Sequence, residues 1–278
     1  MTTIDGKDTG MWGLEALDGA YGSLLKYPKR KTVNFTNYAE VDGITPDVRK
    51  VEFEPKQVTV EFGMVAGSGS AFRQHYDSFY AEMMRDGYRN IDFGHGLVHQ
   101  LRFEKGSGFR THSFFRIDRK VAKISISMIE DKTPVGQSVT SPAGGIGLKG
   151  YYAINGIDFG DFGICPDAEA GRVLIYDDVK APFFDGRNYY PDDKKIKHRE
   201  ISLPLWMFGK TVAEFIANYQ AFFNQWAKPG LQTLYAGEAG RTFDVYYTNC
   251  TSYSVMFDRF GRAGAKFAIS FVITNKII

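Results

Sequence analysis

The stretch IDGKDTGMWG at residues 4–13 decides the fold, because it returns as INGIDFGDFG at residues 154–163. Both stretches follow the pattern I-[DN]-G-x-D-x-G-x-[WF]-G, and each residue of the second lies 150 positions after its counterpart in the first. The shared positions are Ile4, Gly6, Asp8, Gly10, Trp12 and Gly13 in the first copy, and Ile154, Gly156, Asp158, Gly160, Phe162 and Gly163 in the second. A repeat on this scale indicates that one folding unit was duplicated and that the two copies have equivalent roles.

The similarity between the copies continues downstream of this motif. Residues 58–63 and 201–206 alternate apolar and polar side chains, which predicts a half-buried strand in each copy. An apolar stripe at helical spacing follows, at residues 72–83 and 212–226, and predicts one amphipathic helix per copy. Strand-like runs complete each copy, at residues 89–93, 99–103 and 121–129 and at residues 232–235, 242–247 and 267–273.

Both copies have helix-cap and turn residues at matching positions. We expect Ser70 and Thr211 to be the N-caps of the two helices. Gly87 and Gly230 are expected to end the helices in a left-handed conformation. Upstream of the first long strand, Asp42-Gly43 and Asp185-Gly186 are turn signals that lie 143 positions apart.

These patterns predict a mainly β protein of the α+β type. We expect two tandem β-sandwich or barrel domains, each with one packed amphipathic helix, at residues 1–131 and 151–278. The segment between them, residues 132–150, reads KTPVGQSVTSPAGGIGLKG and is predicted to be a linker because it is small, polar and rich in glycine and proline.

The amino-acid composition argues against several classes of protein. A net charge of +2 argues against a strongly basic nucleic-acid surface, and no apolar run is long enough to span a membrane. The N-terminal residues lack the apolar core of a signal peptide. Cys165 and Cys250 have no counterparts in the first copy, so two free thiols are expected, with a disulfide as the alternative.

The candidate chemical motifs lack their required partners. Asp-Phe-Gly occurs at residues 92–94 and 158–160 without the other elements of a kinase, and His95 and His99 lie in a glycine-rich turn and strand rather than on a zinc-binding helix. The glycine-rich stretch at residues 67–70 lacks the lysine of a phosphate-binding loop. Paired carboxylates at residues 177–178 and 192–193 fall in turn-like stretches. The sequence therefore predicts no catalytic residue, no cofactor and no metal, and we expect a protein that is not an enzyme.

The second copy resembles the N-terminal domain of phage distal tail proteins. The resemblance rests on the order of elements: the opening with Gly156, Asp158, Phe162 and Gly163, the Asp185-Gly186 turn, one strand, one helix, the Pro229-Gly230-Leu231 exit and a final hairpin with aromatic residues. The first copy matches more loosely, since Trp12 replaces the phenylalanine. In that family a second, different domain usually follows, whereas this chain repeats the first one.

The resemblance implies the tail-tube fold and a structural role. Tail tubes and their end caps are rings of approximate six-fold symmetry, so a duplicated chain would fill a ring as a trimer with pseudo-six-fold symmetry, with a hexamer as the alternative. The implied function is a ring at the distal end of the tail tube, connecting it to the baseplate or tip. The implied partners are further copies of this chain, the tail tube protein and baseplate hub or tail-tip proteins. DNA would only pass through the lumen, no membrane would be involved, and assembly in the host cytoplasm would place the protein in the virion tail.

Three alternatives stay open at this point. The first is a duplicated major tail tube protein, which differs in copy number from a distal ring. The second is a carbohydrate-binding β-sandwich module, whose tandem copies would add avidity. The third is an enzyme with an unrecognised site, which would need a deep pocket with titratable groups.

Overall fold

The fold is described from a computed structural model, which covers residues 2–17, 19–38, 41–94, 97–104, 110–116, 119–132, 141–167, 174, 195–257 and 262–275. The chain divides into two compact units. Unit 1 comprises Met1–Pro28 and Glu54–Pro134, and unit 2 comprises Lys29–Phe53 and Val135–Ile278. From the sequence, residues 29–53 are expected in the first copy, whereas in the structure they belong to unit 2.

Ten strands lie in the described residues of the first part of the chain. They are β1 (Thr3–Ile4), β2 (Lys7–Asp8), β3 (Leu14–Ala16), β4 (Phe35–Thr36), β5 (Thr45–Pro46), β6 (Lys56–Ala66), β7 (Tyr88–Asp92), β8 (Val98–Phe103), β9 (Arg110–Arg116) and β10 (Arg119–Glu130). Its helices are the 3-10 helix η1 (Thr9–Trp12) and the α-helices α1 (Gly19–Leu25) and α2 (Gly69–Met83).

Within its described residues, the second part of the chain repeats this order with seven strands. They are β11 (Tyr152–Ile154), β12 (Ile157–Asp158), β13 (Ile164–Pro166), β14 (Arg199–Gly209), β15 (Gln232–Ala236), β16 (Arg241–Phe257) and β17 (Ala263–Ile273). The 3-10 helix η2 spans Phe159–Phe162. The long helix, named α3 here, spans Val212–Trp226.

Each unit is built on one antiparallel sheet with the same strand order. In unit 1 the order is β2-β1-β7-β8-β10-β6-β3, with β9 paired to β10, and in unit 2 it is β12-β11-β15-β16-β17-β14-β13. A separate two-stranded sheet joins β4 to β5. The prediction of a mainly β, sandwich-like fold is confirmed.

The central strand pair shows how closely the two units correspond. Strands β6 and β10 pair from Lys56 opposite Glu130 to Ala66 opposite Lys120. Strands β14 and β17 pair from Arg199 opposite Ile273 to Gly209 opposite Ala263. Every one of these residues in unit 2 lies 143 positions after its counterpart in unit 1. The insertions and deletions that separate the copies therefore fall outside this strand pair.

The core of each unit lies between the sheet and its long helix. In unit 1, α2 packs on β6, where Phe62 and Phe79 meet edge to face at 5.8 Å. In unit 2, Phe222 of α3 contacts Phe267 at 6.3 Å between ring centroids, and both side chains are fully buried. Burying aromatic side chains of this size is the main source of stability in such a core.

The structure confirms one predicted N-cap and corrects the other. Thr211 caps α3 as expected, with its Oγ1 accepting from the amide of Glu214 at 3.1 Å. The N-cap of α2 is Ser68 rather than Ser70, because the side chain of Ser68 accepts from the amide of Ala71. Serine is an acceptable cap at either position, so the sequence could not choose between them.

The helices also end earlier than predicted. Helix α2 ends at Met83 and α3 at Trp226, before the glycines that were expected to stop them. Gly87 and Gly230 do have positive φ angles, of 88° and 87°. Each glycine therefore lies in the turn that leads from the helix to the next strand, rather than directly after the helix.

The second half of the predicted linker is part of unit 2. The amide of Gly147 donates to the carbonyl of Gly160 at 3.3 Å, and the amide of Leu148 donates to the carbonyl of Ile164 at 3.2 Å. A Cβ atom on Gly145 would lie 2.0 Å from the amide nitrogen of Gly163. Glycine is thus required here for close packing against the second motif rather than for flexibility.

Candidate assembly surfaces

The repeated motif begins with the same tight turn in each unit. Asp5 and Gly6 have φ angles of 50° and 76°, and Asn155 and Gly156 have 51° and 80°. Two successive positive φ angles between paired strands are the geometry of a type I′ hairpin, which favours Asn-Gly and Asp-Gly. The turn sets the register of β1 against β2, where Ile4 pairs with Lys7, and β11 pairs with β12 in the same way.

The aspartate of the motif caps the 3-10 helix that follows. The Asp8 carboxylate accepts from the amide of Gly10 at 2.9 Å, and the Asp158 carboxylate accepts from the amide of Gly160 at 2.7 Å. Asp158 also accepts from the amide of Gly150 at 2.7 Å. The aspartate that resembled part of a kinase triplet is therefore a structural cap, since both its hydrogen bonds are to backbone amides.

The last glycine of the motif joins the 3-10 helix to the long strand. Gly13 and Gly163 are left-handed C-caps, with φ angles of 62° and 77°. Their carbonyl oxygens accept from the amides of Val65 and Phe208, at 2.9 and 3.0 Å. The motif thereby places short strands at both edges of the sheet: in unit 1, β1 and β2 lie at one edge and β3 at the other.

The apolar positions of the motif face the core. Trp12 is 3% exposed and lies 5.8 Å from Phe79 of α2, while Phe162 is fully buried 5.3 Å from Phe222 of α3. Ile4 and Ile154 are also fully buried. All twelve positions of the repeated motif thus have a structural function in their own unit, while Asp185 and Gly186 lie outside the described residues.

Unit 1 contains a buried ionic cluster that the sequence analysis missed. The Glu130 carboxylate contacts Lys56 Nζ at 2.8 Å and His99 Nδ1 at 2.8 Å, and each of these residues is less than 10% exposed. Burial opposes ionisation of Glu130, but the hydrogen bonds and charges of His99 and Lys56 outweigh it and lower its pKa. Because the cluster is buried, these side chains bind one another rather than a ligand from solvent.

The other candidate ligand residues do not converge. His95 lies outside the described residues, and His99 belongs to the cluster with Glu130. Among the residues that the structure describes, no three His, Cys, Asp or Glu side chains lie together as a metal site. Cys165 and Cys250 are both free thiols. No helix in the described part of the chain is long and apolar enough to cross a membrane.

Residues 29–53 contact the rest of unit 2 through backbone hydrogen bonds. The amide of Arg30 donates to the carbonyl of Thr248 at 2.8 Å, and the amide of Ile44 donates to the carbonyl of Thr274 at 3.0 Å. In the opposite sense, the amide of Gly230 donates to the carbonyl of Val48 at 3.0 Å. Gly230, predicted as a helix stop, is thus a contact for this segment.

Apolar side chains complete this contact. Ile44 and Val48 pack against Tyr246 and Val272, and all four are less than 8% exposed. Phe53 lies 5.5 Å from the ring of Phe223 and 6.3 Å from that of Tyr247. The Arg30 guanidinium lies over the ring of Tyr246 at 5.6 Å, and burial lowers its pKa despite the opposing effect of Tyr246. We call Phe223, Tyr246, Tyr247 and Val272 the covered face of unit 2.

No family model and no curated protein matches the sequence. One similar solved structure is that of the SPP1 Dit protein, described as a paradigm of the hub adsorption apparatus in phages that infect Gram-positive bacteria. It is 11% identical, the alignment covers 100% of both chains, and the TM-score is 0.33. A TM-score of 0.33 is too low to assign a fold or a role to this chain.

Proposed function

We propose that this chain is a structural protein of a phage tail, forming a ring at the distal end of the tail tube that connects the tube to the baseplate or tip. The observation that carries the proposal is the duplicated unit. Both copies contain the motif hairpin, the capped 3-10 helix, the long strand pair and the packed helix, and the order of these elements is the one that resembles distal tail proteins.

The duplication has a physical consequence for assembly. Duplicated domains in one chain are suited to a symmetric object with twice as many sites as chains. Three copies of this chain supply six equivalent units, which is the number that a ring on a six-fold tube requires. The partners of such a ring are the tube protein on one side and hub or tip proteins on the other, with DNA passing through the lumen.

The copy number in purified particles tests this proposal. Quantitative mass spectrometry would measure this chain against a capsid protein of known copy number. We expect about three copies per particle, as one ring of six units requires. Tens of copies would contradict the distal ring and favour the duplicated tail tube protein instead, as would assembly of the pure protein into long tubes.

A carbohydrate-binding module is the alternative from another class. Its best support is the stacked pair Trp206 and Phe208, whose ring centroids are 6.3 Å apart, with Phe208 37% exposed. Against it, the other two tryptophans, Trp12 and Trp226, are buried in the unit cores. Binding on a glycan array that is lost on Trp206→Ala would favour this alternative over the ring.

A further inference from the structure

Unit 2 contains an open, basic cavity beside its covered face. The cavity has a volume of about 540 Å³ and lies between residues 29–35 and the adjoining parts of β14, β16 and β17. Among the described residues, its lining includes five cationic side chains and one carboxylate: Lys29, Arg30, Lys31, Lys197, Arg199 and Glu200. These groups have a formal net charge of +4. A cleft lined by charges of one sign concentrates ions of the opposite sign, so this cavity favours an anionic ligand.

Backbone contacts hold the cations on both sides of the cavity. On one side, the amide of Lys31 donates to the carbonyl of Glu52 at 2.9 Å. On the other side, the carbonyl of Lys197 accepts from the side-chain amide of Asn275 at 2.7 Å, and Arg199 begins the long strand β14. The cations therefore lie near one another without a ligand, and a site formed in advance loses less entropy on binding.

The nearby carboxylates offset only part of this positive charge. Glu52 pairs with Lys31 at 2.8 Å and also with Lys50, so two cations share one carboxylate. Lys197 is exposed and has no ion pair with any described residue. Its ammonium group is thus available to an anionic ligand at the edge of the cavity, where it offers three N–H donors.

The duplication provides an internal comparison, because unit 1 has different charges at these places. The counterpart of Lys197, 143 positions earlier, is Glu54. The counterpart of Arg199 is Lys56, whose charge is balanced by Glu130. At the place of that carboxylate, unit 2 has an isoleucine. Since both units have the same sheet, the fold alone does not require the positive charge of unit 2, and we attribute this charge to binding.

An exposed aromatic ring lies beside the cations. Phe35 lines the cavity, is 48% exposed and lies 5.3 Å from the ring of His198. Its backbone is held in the two-stranded sheet, where Phe35 pairs with Pro46. Aromatic rings stack on nucleic-acid bases, while ammonium and guanidinium groups bind phosphate oxygens. The ring and the cations together are therefore typical of a nucleotide site, whereas a site for a carboxylate needs no exposed ring.

We infer that the basic cavity of unit 2 binds a nucleotide, with the phosphate groups among the cations and the base against Phe35. Small-ligand sites usually have volumes of roughly 300–1,000 Å³, and the volume of about 540 Å³ falls within this range. A formal charge of +4 is better balanced by a chain of phosphates than by the single carboxylate of an acidic side chain. The nucleotide is either free or one unit of a single strand of nucleic acid, since both present the same groups. The inference is independent of the proposed ring.

Calorimetric titration of the full chain at low salt tests the inference with three probes. These are adenosine triphosphate, a short oligothymidylate and a short oligoglutamate peptide. We expect saturable binding of a nucleotide probe at one site per chain. Tighter binding of the triphosphate would identify a free nucleotide as the ligand, and tighter binding of the oligothymidylate would identify a nucleic-acid strand. Oligoglutamate binding as tight as that of either nucleotide probe would assign the cavity to an acidic peptide and overturn the inference, as would the absence of saturable binding by all three.

A matched pair of lysine variants locates the binding in the cavity. Lys197→Glu introduces the residue type that unit 1 has at this place, whereas Lys210→Glu makes the same change of charge at an exposed lysine of unit 2 outside the cavity. We expect Lys197→Glu to raise the Kd of the nucleotide probe at least about tenfold, the effect of one lost charge-assisted hydrogen bond, and Lys210→Glu to stay within about twofold of the wild type. Circular dichroism would check that both variants fold. Equal effects of the two variants would show binding by net charge alone and overturn the inference.

A variant of the aromatic ring tests the place of the base. Phe35→Leu keeps an apolar side chain but removes the stacking surface. We expect this variant to bind adenosine triphosphate more weakly than the wild type and to bind inorganic triphosphate equally well. An unchanged affinity for adenosine triphosphate would show that the cavity does not recognise the base, and the assignment to a nucleotide would fail.

Discussion

The amide of Phe208 donates a hydrogen bond to the carbonyl oxygen of Gly163 at 3.0 Å, and this bond attaches the second motif to strand β14. A Cβ atom on Gly163 would lie 2.3 Å from the carbonyl oxygen of Phe208. The backbone of Gly163 is also left-handed, with a φ angle of 77°. Glycine is therefore required at this position both for its φ angle and for the close approach of the strand.

This contact predicts a graded effect of alanine substitutions in the motif. Gly156 has a φ angle of 80° but nothing within 4 Å of an added Cβ. Gly156→Ala should lower the free energy of unfolding of unit 2 by about 1–2 kcal/mol, the cost of the left-handed backbone alone. Gly163→Ala should lower it by on the order of 3 kcal/mol or more, because the clash adds to this cost. Urea denaturation of the two variants measures the difference, and equal losses would contradict the role assigned to Gly163.

The motif aspartates provide a second comparison between the copies. Asp8 accepts one backbone hydrogen bond, from Gly10, whereas Asp158 accepts two, from Gly150 and Gly160. Asp8→Ala should cost about 1 kcal/mol, the usual value for a lost cap. Asp158→Ala should cost about 2 kcal/mol, because the second bond also holds the end of the linker. Hydrogen exchange should show faster exchange at the Gly150 amide in Asp158→Ala, and unchanged exchange there would argue against the second bond.

Helix capping gives a prediction about the corrected N-cap of α2. Ser68 Oγ accepts from the amide of Ala71 at 3.2 Å. Ser68→Ala should therefore destabilise unit 1 by about 1 kcal/mol. Ser70 Oγ lies 3.0 Å from Ser68 Oγ in an exposed side-chain hydrogen bond rather than at a backbone amide, so Ser70→Ala is the control and should change stability by less than about 0.5 kcal/mol. A larger loss in the Ser70 variant would restore the cap predicted from the sequence.

The ionic cluster predicts a pH dependence confined to unit 1. The pKa of Glu130 lies below its ordinary value of 4.5, so its ionised form is favoured in the folded state. The stabilisation is complete above the unfolded-state pKa and is lost as the pH falls through the lowered folded-state pKa. Glu130→Gln should cost about 3–5 kcal/mol at neutral pH, because Lys56 stays buried without its carboxylate.

Unit 2 suggests the control for this experiment. Its residues corresponding to His99 and Glu130 are the apolar Phe243 and Ile273, whereas the counterpart of Lys56 is the buried Arg199. The triple variant Lys56→Met, His99→Phe and Glu130→Ile should be as stable as the wild type or more stable by about 1–4 kcal/mol. Its stability should also fall less as the pH is lowered below 4.5 in urea titrations, where the wild type loses the contribution of Glu130. An unchanged pH dependence would show that other carboxylates are responsible.

Local sequence patterns predicted the strands and helices. Features that depend on contacts between residues distant in sequence could not be predicted in this way. The alternation at residues 58–63 and the helical stripe at residues 212–226 depend only on neighbouring residues, so they located β6 and α3 correctly. Ile44 and Val48 of residues 29–53 have no such periodicity, because their partners Tyr246 and Val272 are distant in sequence. The assignment of this segment to unit 2 could not be read from the sequence.

The ionic cluster did leave a signal in the sequence. Lys56 is in phase with the buried residues Val58 and Val60, and Glu130 is in phase with Ile126 and Met128. A charged residue on the buried face of a strand needs a partner, so two such residues on adjacent strands indicate an ion pair.

The most direct test of the ring is the mass of the protein in solution. Native mass spectrometry over a range of concentrations would count the chains, each of 31.3 kDa, in the assembled species. The account predicts a closed species of three chains, in which six units complete the ring. A single chain of 31.3 kDa at every concentration would contradict it.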